Sequence, residues 1–274
     1  MKKHTIILLS IAAVVLTVMS LCTTACKKTS GGVDSGYFYF HFHTNIADST
    51  IGGNPGPDSN TTGSTNPWYY IYDTSGPRIL LTVPQFFVSD IQLVNANGST
   101  LSLNNVVVLK GLDSEDYYLC KVPIGTYTSA KFSVGLSGTN NALPPTSLFV
   151  TDGITYPVEA SMWTGATSTG YYGMVVQGMY DTTAGHTGQN PISFNFELSN
   201  SLTSATQVAL PARGSAQFPD YILTAGGTQY IHVLCDYGKL LSVINLRTSN
   251  QTSVNPLIAD TLANNIPNMF RYEE

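Results

Sequence analysis

The sequence predicts an all-β protein, built as a single antiparallel β-sandwich or open barrel with one short C-terminal helix. Apolar residues alternate with polar ones along several short segments, which is the period of a strand with one buried face. Turn residues separate these segments, and helical periodicity is almost absent. Only 11% of the residues are charged, whereas 24 are Gly and 16 are Tyr, a composition typical of secreted β-proteins.

The first predicted strand, residues 37–46, has a core face of three phenylalanines and a second face that carries Tyr37, Tyr39, His41 and His43. His41 and His43 project on one side, about 6.5–7 Å apart along the strand. Two imidazoles at this spacing can ligate one metal ion if other residues complete the site. The alternative is a half-hydrated Tyr/His face that ligates nothing, and spacing alone favours it.

The next strands are separated by loops and turns. Residues 47–67 are rich in Gly, Pro, Asn and Ser and predict a surface loop. Strands are predicted at 68–73 and at 79–94, where Pro84 marks an edge or a bulge. Asn97-Gly98 predicts a hairpin turn into a strand over 101–109, and its Val106–Val108 run indicates burial on both faces.

The clearest unit is a hairpin over residues 118–136. Tyr118, Cys120 and Val122 alternate with Leu119 and Lys121, Val122 to Gly125 form a tight turn, and alternation of apolar and polar residues follows from Ala130. Further strands are predicted at 170–180, 192–198, 208–210, 221–223 and 230–241. The last of these carries His232 on the same face as Tyr230 and Leu234.

One helix is predicted near the C-terminus, over residues 257–265. Leu257, Ile258 and Leu262 are spaced for one helical face, with Asn255 as N-cap and Pro256 as the first helical residue.

The N-terminus predicts a secretory leader over residues 1–25. Two lysines precede an apolar run, Ile6 to Leu21, that is shorter and more interrupted than a membrane span of roughly 20 residues. Ala25-Cys26 resembles a bacterial lipobox, which makes Cys26 the predicted lipidated first residue. Cys22 is a competing site, although the bulky Leu21 before it fits signal peptidase poorly.

Residues 26–36 then form the lipidated Cys26 and a flexible tether, and residues 37–274 form the β-domain. The tether, rich in Gly and Ser, reaches roughly 18 Å as a coil. These features predict a lipoprotein of the cell envelope, on the outer membrane and facing either the periplasm or the surface, that contacts the membrane through its lipid anchor and has an envelope protein as a possible partner.

The charge excludes nucleic acid as a partner. Removal of the leader takes away Lys2 and Lys3, so that the formal charge moves from −5 to −7. The remaining Lys and Arg residues form no cluster that displaces counterions from phosphates.

Two cysteines remain in the predicted domain, Cys120 and Cys235. An oxidising compartment permits a disulfide between them, but both lie in apolar strand segments, so that two buried free thiols are an equal alternative.

We expect a protein that is not an enzyme. The sequence has no G-x-S-x-G, H-E-x-x-H, P-loop, G-x-G-x-x-G or C-x-x-C pattern on which to place a reaction.

The hairpin carries the pattern V-P-x-G-x-Y-x-x-x-x-F-x-x-G, from Val122 to Gly135. This pattern resembles the MbnP-like family of secreted β-domains, named for a partner protein of the copper peptide methanobactin. Residues 87–93 are similar to the family's y-x-S-n-i-x-L strand, and residues 260–270 to its D-N-x-x-x-M-F ending. The resemblance covers most of the mature chain.

The resemblance implies a copper site formed by histidines, with an oxidised tryptophan beside it in some members. By position, His43 is similar to the first-strand histidine and Trp163 to the first family tryptophan. The second tryptophan falls at Gly165, and a second histidine falls at Glu197, so that one inherited ligand is missing. His41 or His232 is the candidate to replace it.

A binding module without metal is the alternative function. Such a module would present aromatic residues to a glycan or a partner protein, and the candidates are Trp68, Tyr69, Tyr171 and Tyr172. A third possibility is a purely structural envelope protein.

Overall fold

The computed structural model describes residues 34–46, 69–70, 78–103, 106–112, 115–136, 138–145, 148–151, 154–157, 160–181, 190–204 and 206–273. Several sequence-based predictions lie outside these residues: the leader, Cys26, most of the tether, the loop over 47–67, Trp68 and His186. Among the described residues, no helix is long and apolar enough to cross a membrane.

The smaller of two main sheets has four strands in the order β15-β14-β1-β6. Its members are β1 (Ser35–Asn45), β6 (Glu115–Pro123), β14 (Thr228–Asp236) and β15 (Phe270–Tyr272). β1 begins two residues before the predicted domain boundary, because Ser35 and Gly36 pair with Pro123 and Val122 of β6.

The larger sheet has nine strands, five of them in the order β11-β10-β3-β7-β12. The others pair with the long strand β3 or with β7. The members are β2 (Tyr69–Tyr70), β3 (Arg78–Asn95), β4 (Thr100–Leu103), β5 (Val108–Lys110), β7 (Gly125–Val134), β10 (Tyr172–Asp181), β11 (Pro191–Ser199), β12 (Gln207–Ala209) and β13 (Tyr221–Leu223).

A two-stranded ribbon and short helices complete the described elements. The ribbon is β8 (Leu148–Thr151) with β9 (Ile154–Pro157), and the helices are α1 (Asn200–Thr203), α2 (Tyr237–Leu241) and α3 (Leu257–Asn265). Short 3-10 turns cover Gly138–Ala142, Ala160–Met162 and Ile266–Met269.

The core lies between the two main sheets. Phe38, Phe40 and Phe42 of β1 are fully buried and meet aromatic side chains of the larger sheet. Phe40 lies edge-on to Phe132 at 5.5 Å between ring centroids, and Phe42 lies edge-on to Phe86 at 6.0 Å. Such contacts add roughly 0.5–1.5 kcal/mol each beyond burial of their area. The predicted β-sandwich is therefore confirmed.

One strand pair is not antiparallel. β1 pairs with β14 in parallel and with β6 in antiparallel orientation. Alternation in a sequence assigns side chains to faces but does not identify the neighbouring strand, and β1 lies far from β14 along the chain. The predicted antiparallel sandwich thus contains a parallel pair at the centre of its smaller sheet.

The structure explains the hairpin pattern from Val122 to Gly135. Val122, Tyr127 and Phe132 are buried, and the Tyr127 hydroxyl donates a hydrogen bond to the Pro123 carbonyl at 2.8 Å. Gly135 has φ of +123°, and a Cβ there would lie 2.6 Å from Asn200 Oδ1. Val122, Tyr127 and Phe132 of the pattern therefore pack in the core, and Gly135 permits a positive φ at the end of the hairpin.

The long strand β3 bends through irregular pairings. Its pairing with β10 shifts register between Val83 and Leu81, close to Pro84, in agreement with the predicted bulge. A second shift lies between Ser89 and Gln92, where Asp90 has φ of +51°. Two residues then face one on the partner strand, which is the geometry of a β-bulge.

The segment predicted as one strand over 101–109 divides into β4 and β5. Val106, Val107 and Val108 are buried as expected. Asn97-Gly98 forms the predicted turn, with Gly98 at φ of +83° and Asn97 Oδ1 accepting a hydrogen bond from the Ser99 amide.

The predicted C-terminal helix is α3, which begins at Leu257, so that the N-cap is Pro256 and not the predicted Asn255. Asn255 Oδ1 accepts a hydrogen bond from the Leu257 amide at 3.2 Å. The sequence did not predict α1 and α2, because helices of four and five residues are too short to display helical periodicity.

Cys120 and Cys235 are not joined in a disulfide, and both are fully buried. Cys120 pairs with Phe38 and Cys235 with Thr44, six residues farther along β1 and so about 20 Å away. A disulfide requires Cα atoms about 4.4–6.8 Å apart. Of the two alternatives for these residues, the structure has the buried thiols.

Burial raises the pKa of the Cys235 thiol to about 12, with Lys110 opposing and Asp236 adding to the shift. Because the thiolate is the reactive form and both thiols are shielded from reagents by full burial, neither thiol should react in the native protein near neutral pH. We expect no labelling of mature Cys26→Ser protein by an aromatic disulfide reagent, and two thiols per chain after unfolding in guanidinium. Rapid native labelling, or fewer than two thiols after unfolding without reductant, would contradict this arrangement.

Candidate metal site

Three histidines meet on the outer face of the smaller sheet. His41 and His43 lie on β1 and His232 lies on β14, and the parallel register places His41 directly opposite His232. Because the phenylalanines of β1 point into the core, the alternate residues of the strand point outward. The predicted Tyr/His face of β1 and the face that His232 shares with Tyr230 therefore belong to one surface.

The imidazoles are close enough to share an ion. Ring centroids are 4.1 Å apart for His41 and His43, 4.9 Å for His41 and His232, and 5.9 Å for His43 and His232. One ligand atom from each residue lies within 4.8 Å of those of the other two. We call these three residues the histidine triad.

The triad is partly shielded from solvent. The side chain of His43 is 13% exposed and that of His41 is 23% exposed, whereas that of His232 is 50% exposed. The two β1 histidines are therefore mostly covered by neighbouring residues, whereas the more exposed His232 leaves the site accessible to an ion or ligand on the β14 side.

Two carboxylates contact the triad. Asp116 of β6, opposite His41 in register, contacts His41 Nδ1 through Oδ1. Glu273 Oε2, just beyond β15, lies 2.8 Å from His43 Nε2 and 3.5 Å from His232 Nδ1. Carboxylates that contact one nitrogen of an imidazole fix its tautomer and orient the ring. The ring nitrogens that these two carboxylates do not contact are Nε2 of His41, Nδ1 of His43 and Nε2 of His232.

The sequence offered no signal for these carboxylates. Asp116 belongs to the acidic stretch 113–116, whose composition indicates a solvated turn, and Glu273 is next to the last residue of the chain. Their roles depend on strand partners that are distant in sequence, so only the pairings β1 with β6 and β14 with β15 reveal them.

A row of tyrosines continues the same surface away from the triad. Tyr39 stacks on Tyr230 at 5.1 Å between centroids and lies 5.3 Å from Tyr118, which is 6.2 Å from Tyr37. Tyr230 is 38% exposed. We call Tyr37, Tyr39, Tyr118 and Tyr230 the tyrosine row.

Of the aromatic residues proposed for a metal-free binding module, the two whose side chains the structure describes do not form such a surface. Tyr171 is fully buried, and Tyr172 packs against the same apolar cluster. Trp68 and the side chain of Tyr69 lie outside the described residues. Among the described residues, the tyrosine row forms an aromatic surface in which Tyr230 is exposed, Tyr37 and Tyr39 are half-buried and Tyr118 is buried.

Trp163 is not next to the histidines. It packs against Tyr171 at 4.7 Å between centroids, in an apolar cluster with Phe87 and Val175. The neighbours Phe86, Val88 and Val176 face the main core, so this cluster lies on the outer side of the larger sheet. The expected adjacency of Trp163 and His43 is therefore not found, because the two residues lie on opposite outer faces of the sandwich.

Glu197 shares the side of Trp163. It pairs with Val175 across β10 and β11, and its Oε1 accepts a hydrogen bond from Asn195 at 3.1 Å. Burial and a hydrogen bond with Glu197 raise the pKa of Tyr172. The positions that the family resemblance assigns to one copper site are thus divided between two faces of this chain.

The donor set of the triad suits a borderline metal ion. Imidazole nitrogens with nearby carboxylate oxygens match Cu(II) and Zn(II), whereas a soft Cu(I) site uses thiolate or thioether ligands. Both described cysteines are buried in the core and away from this face. Three imidazoles as ligands, with Asp116 and Glu273 as their outer partners, therefore fit the copper ion that the resemblance implies, in its Cu(II) form.

The chain is similar to known proteins at the level of both sequence and structure. A family model described as MbnP matches residues 34–257. Among solved structures, the chain is similar to MbnP from Methylosinus trichosporium, with 12% sequence identity over 77% of this chain and 78% of that chain and a TM-score of 0.43. A search of curated proteins found no match.

Proposed function

We propose that this chain, which belongs to the MbnP family, binds copper through His41, His43 and His232 as a non-enzymatic lipoprotein of the bacterial cell envelope. The convergence of three imidazoles within 4.8 Å on one sheet face carries the proposal. Three histidines from two strands rarely need to meet for packing alone, since imidazole is a poor core residue and a common metal ligand.

The choice of copper has two sources. The family resemblance implies copper, and divalent copper is bound more tightly than the other first-row metals by a given set of nitrogen and oxygen ligands. When bound, copper supplies a positive charge beside Asp116 and Glu273, both of which contact the triad from outside. Asp116 and Glu273 orient the three imidazole rings, and the triad joins β1 to β14.

The proposed ligand set differs from the one that the resemblance implies. Trp163, Gly165 and Glu197 occupy the positions of family site residues but lie away from the triad, and the first two of these offer no ligand atom to copper in unmodified form. We therefore assign copper to the triad and no metal role to Trp163.

The envelope location is proposed from the leader and Cys26. A basic start, an apolar run and a lipobox-like Ala25-Cys26 support export and lipidation. The buried, unreactive thiols are compatible with this compartment but do not argue for it.

A second candidate function is a metal-free binding module that uses the tyrosine row. The observation that favours it is the stacked pair Tyr39 and Tyr230 on an accessible sheet face. Such a surface suits the apolar face of a sugar ring or an aromatic side chain of a partner. This function predicts that Tyr230→Ala removes ligand binding and that His43→Ala does not.

The first prediction concerns copper retention. Protein loaded with Cu(II) and desalted should hold close to one copper per chain by elemental mass spectrometry, and His41→Ala, His43→Ala and His232→Ala should each lose most of it. Glu197→Gln and Trp163→Phe are matched controls on the other face and should retain copper as the parent does.

The same variants separate the possible ligand sets. Loss of copper in Glu197→Gln with retention in His232→Ala would contradict the triad and favour the positions implied by the resemblance. Absence of retained copper in the parent would contradict the metal function. In the parent, copper at about 100 times its dissociation constant should stabilise the fold by about 2.7 kcal/mol, measured by thermal unfolding.

A second prediction concerns the carboxylate between two of the rings. Glu273→Gln keeps the shape of the side chain but removes the charge that contacts His43 and His232. Because the outer partners of metal ligands typically contribute about 10–100-fold in affinity, copper should bind more weakly by this factor in a competition titration. Glu197→Gln provides the same chemical change away from the triad, and equal effects of the two variants would argue against a role for Glu273.

A third prediction tests the anchor. The full chain should fractionate with membranes, and its N-terminal peptide should carry the mass of acyl chains on Cys26, since several buried methylenes are needed for stable anchoring. Cys26→Ser should release the protein into the soluble envelope fraction. Membrane association that persists without acylation would rule out this anchor.

A further inference from the structure

We propose that one end of the sandwich docks on the lipid bilayer and holds the histidine triad away from it. This end, which we call the turn end, consists of the turns over residues 96–99, 123–125 and 224–227 together with Asp34. The inference rests on the lipid anchor at Cys26 that is part of the proposed function.

The described chain begins at the turn end. The Asp34 carbonyl accepts a hydrogen bond from the Ile124 amide at 3.1 Å, and the Ser35 carbonyl accepts one from Gly226 at 2.8 Å. The third turn joins them because the Ala96 amide donates to the Thr126 carbonyl at 2.9 Å. The strand that follows Asp34 therefore starts among all three turns.

The length between Cys26 and Asp34 keeps this end near an anchored lipid. Eight residue steps span at most about 29 Å when fully extended, and a coil of this length covers roughly half of that distance. An acylated Cys26 lies at the membrane surface, so the turn end is the part of the domain that the anchor brings to the bilayer.

The turn end has a surface that a bilayer tolerates. The three turns contain no charged residue, so that the exposed Asp34 is the one charged residue of the turn end, whereas the mature chain has a formal charge of −7 that opposes contact with anionic lipids elsewhere. Ile124 is 44% exposed and Ile222 is 64% exposed. Ile222 pairs with Thr126, two residues from Ile124, so both isoleucines are presented at the same corner.

Residues typical of a membrane interface lie beside this corner. Lys121 Nζ lies 5.2 Å from the ring centroid of Tyr37, at the start of β1 and the end of β6. Tyrosine and lysine side chains place an apolar body toward lipid and a polar group toward headgroups and water. Isoleucine, tyrosine and lysine together fit the headgroup boundary of a bilayer.

In this orientation the histidine triad lies away from the bilayer. His43 lies six residues beyond Tyr37 along β1, which corresponds to about 20 Å of strand. With the turn end on the bilayer, His43 lies at the far part of the outer face. The triad then opens to the aqueous compartment, where a soluble donor or acceptor of the metal has access.

The test uses mature protein, residues 26–274, whose Cys26 is coupled chemically to a maleimide phospholipid in phosphatidylcholine vesicles. The buried Cys120 and Cys235 leave Cys26 as the reactive thiol. Tryptophan is introduced by Ile222→Trp at the turn end or by Leu257→Trp, a site 72% exposed at the start of α3. For each variant, the tryptophan fluorescence in excess of that of the parent protein is compared in vesicles with and without brominated lipid.

We expect brominated lipid to quench most of the emission added by Ile222→Trp, with little effect on that added by Leu257→Trp. A further Ile124→Ser change in the Ile222→Trp protein should reduce the quenching. Equal or absent quenching at the two sites, or stronger quenching for Leu257→Trp, would overturn the proposed orientation. Because the lipid is attached chemically, the vesicle experiment does not depend on acylation in the cell. Absence of acylation in the cell would contradict the anchor on Cys26 but would not affect this test of the orientation.

Discussion

The place of β1 at the centre of the smaller sheet determines the rest of this structure. β14 lies on one side in parallel and β6 on the other in antiparallel orientation, and both registers are fixed along most of the strand. A slip of one residue would exchange the two faces of β1. Phe38, Phe40 and Phe42 would leave the core, and the imidazoles would enter it. Burial of three phenylalanines thus fixes the position of the histidines.

This constraint joins stability to the proposed function. The same pairing that aligns the phenylalanines of β1 with the core places His41 opposite His232 and Asp116 opposite His41. The proposed metal ligands are therefore held by strands, whose positions are well defined, and Glu273 is placed by the short strand β15. A site supported in this way needs little rearrangement to accept an ion. This chain belongs to the MbnP family, yet Trp163 and Glu197 lie on the other side of the sandwich from the triad.

Much of the fold could be predicted from local sequence patterns. Alternation identified the faces of β1, the hairpin from Tyr118 to Leu136 and the face that His232 shares with Tyr230, because these features depend on neighbouring residues. The parallel pairing of β1 with β14 could not be predicted, because strand partners depend on contacts distant in sequence. The convergence of the triad and the roles of Asp116 and Glu273 follow from that pairing. The separation of Trp163 from His43 also needed the structure, since similarity by position gives no information on which face a residue occupies.

The most direct test of the central claim is a crystal structure of the copper-loaded protein with anomalous diffraction measured on both sides of the copper absorption edge. We predict one strong copper peak between the imidazoles of His41, His43 and His232, within about 2.0–2.1 Å of a nitrogen of each, the distance typical of metal bonds to imidazole. A fully occupied peak beside Trp163 and Glu197, with none at the histidines, would contradict the account.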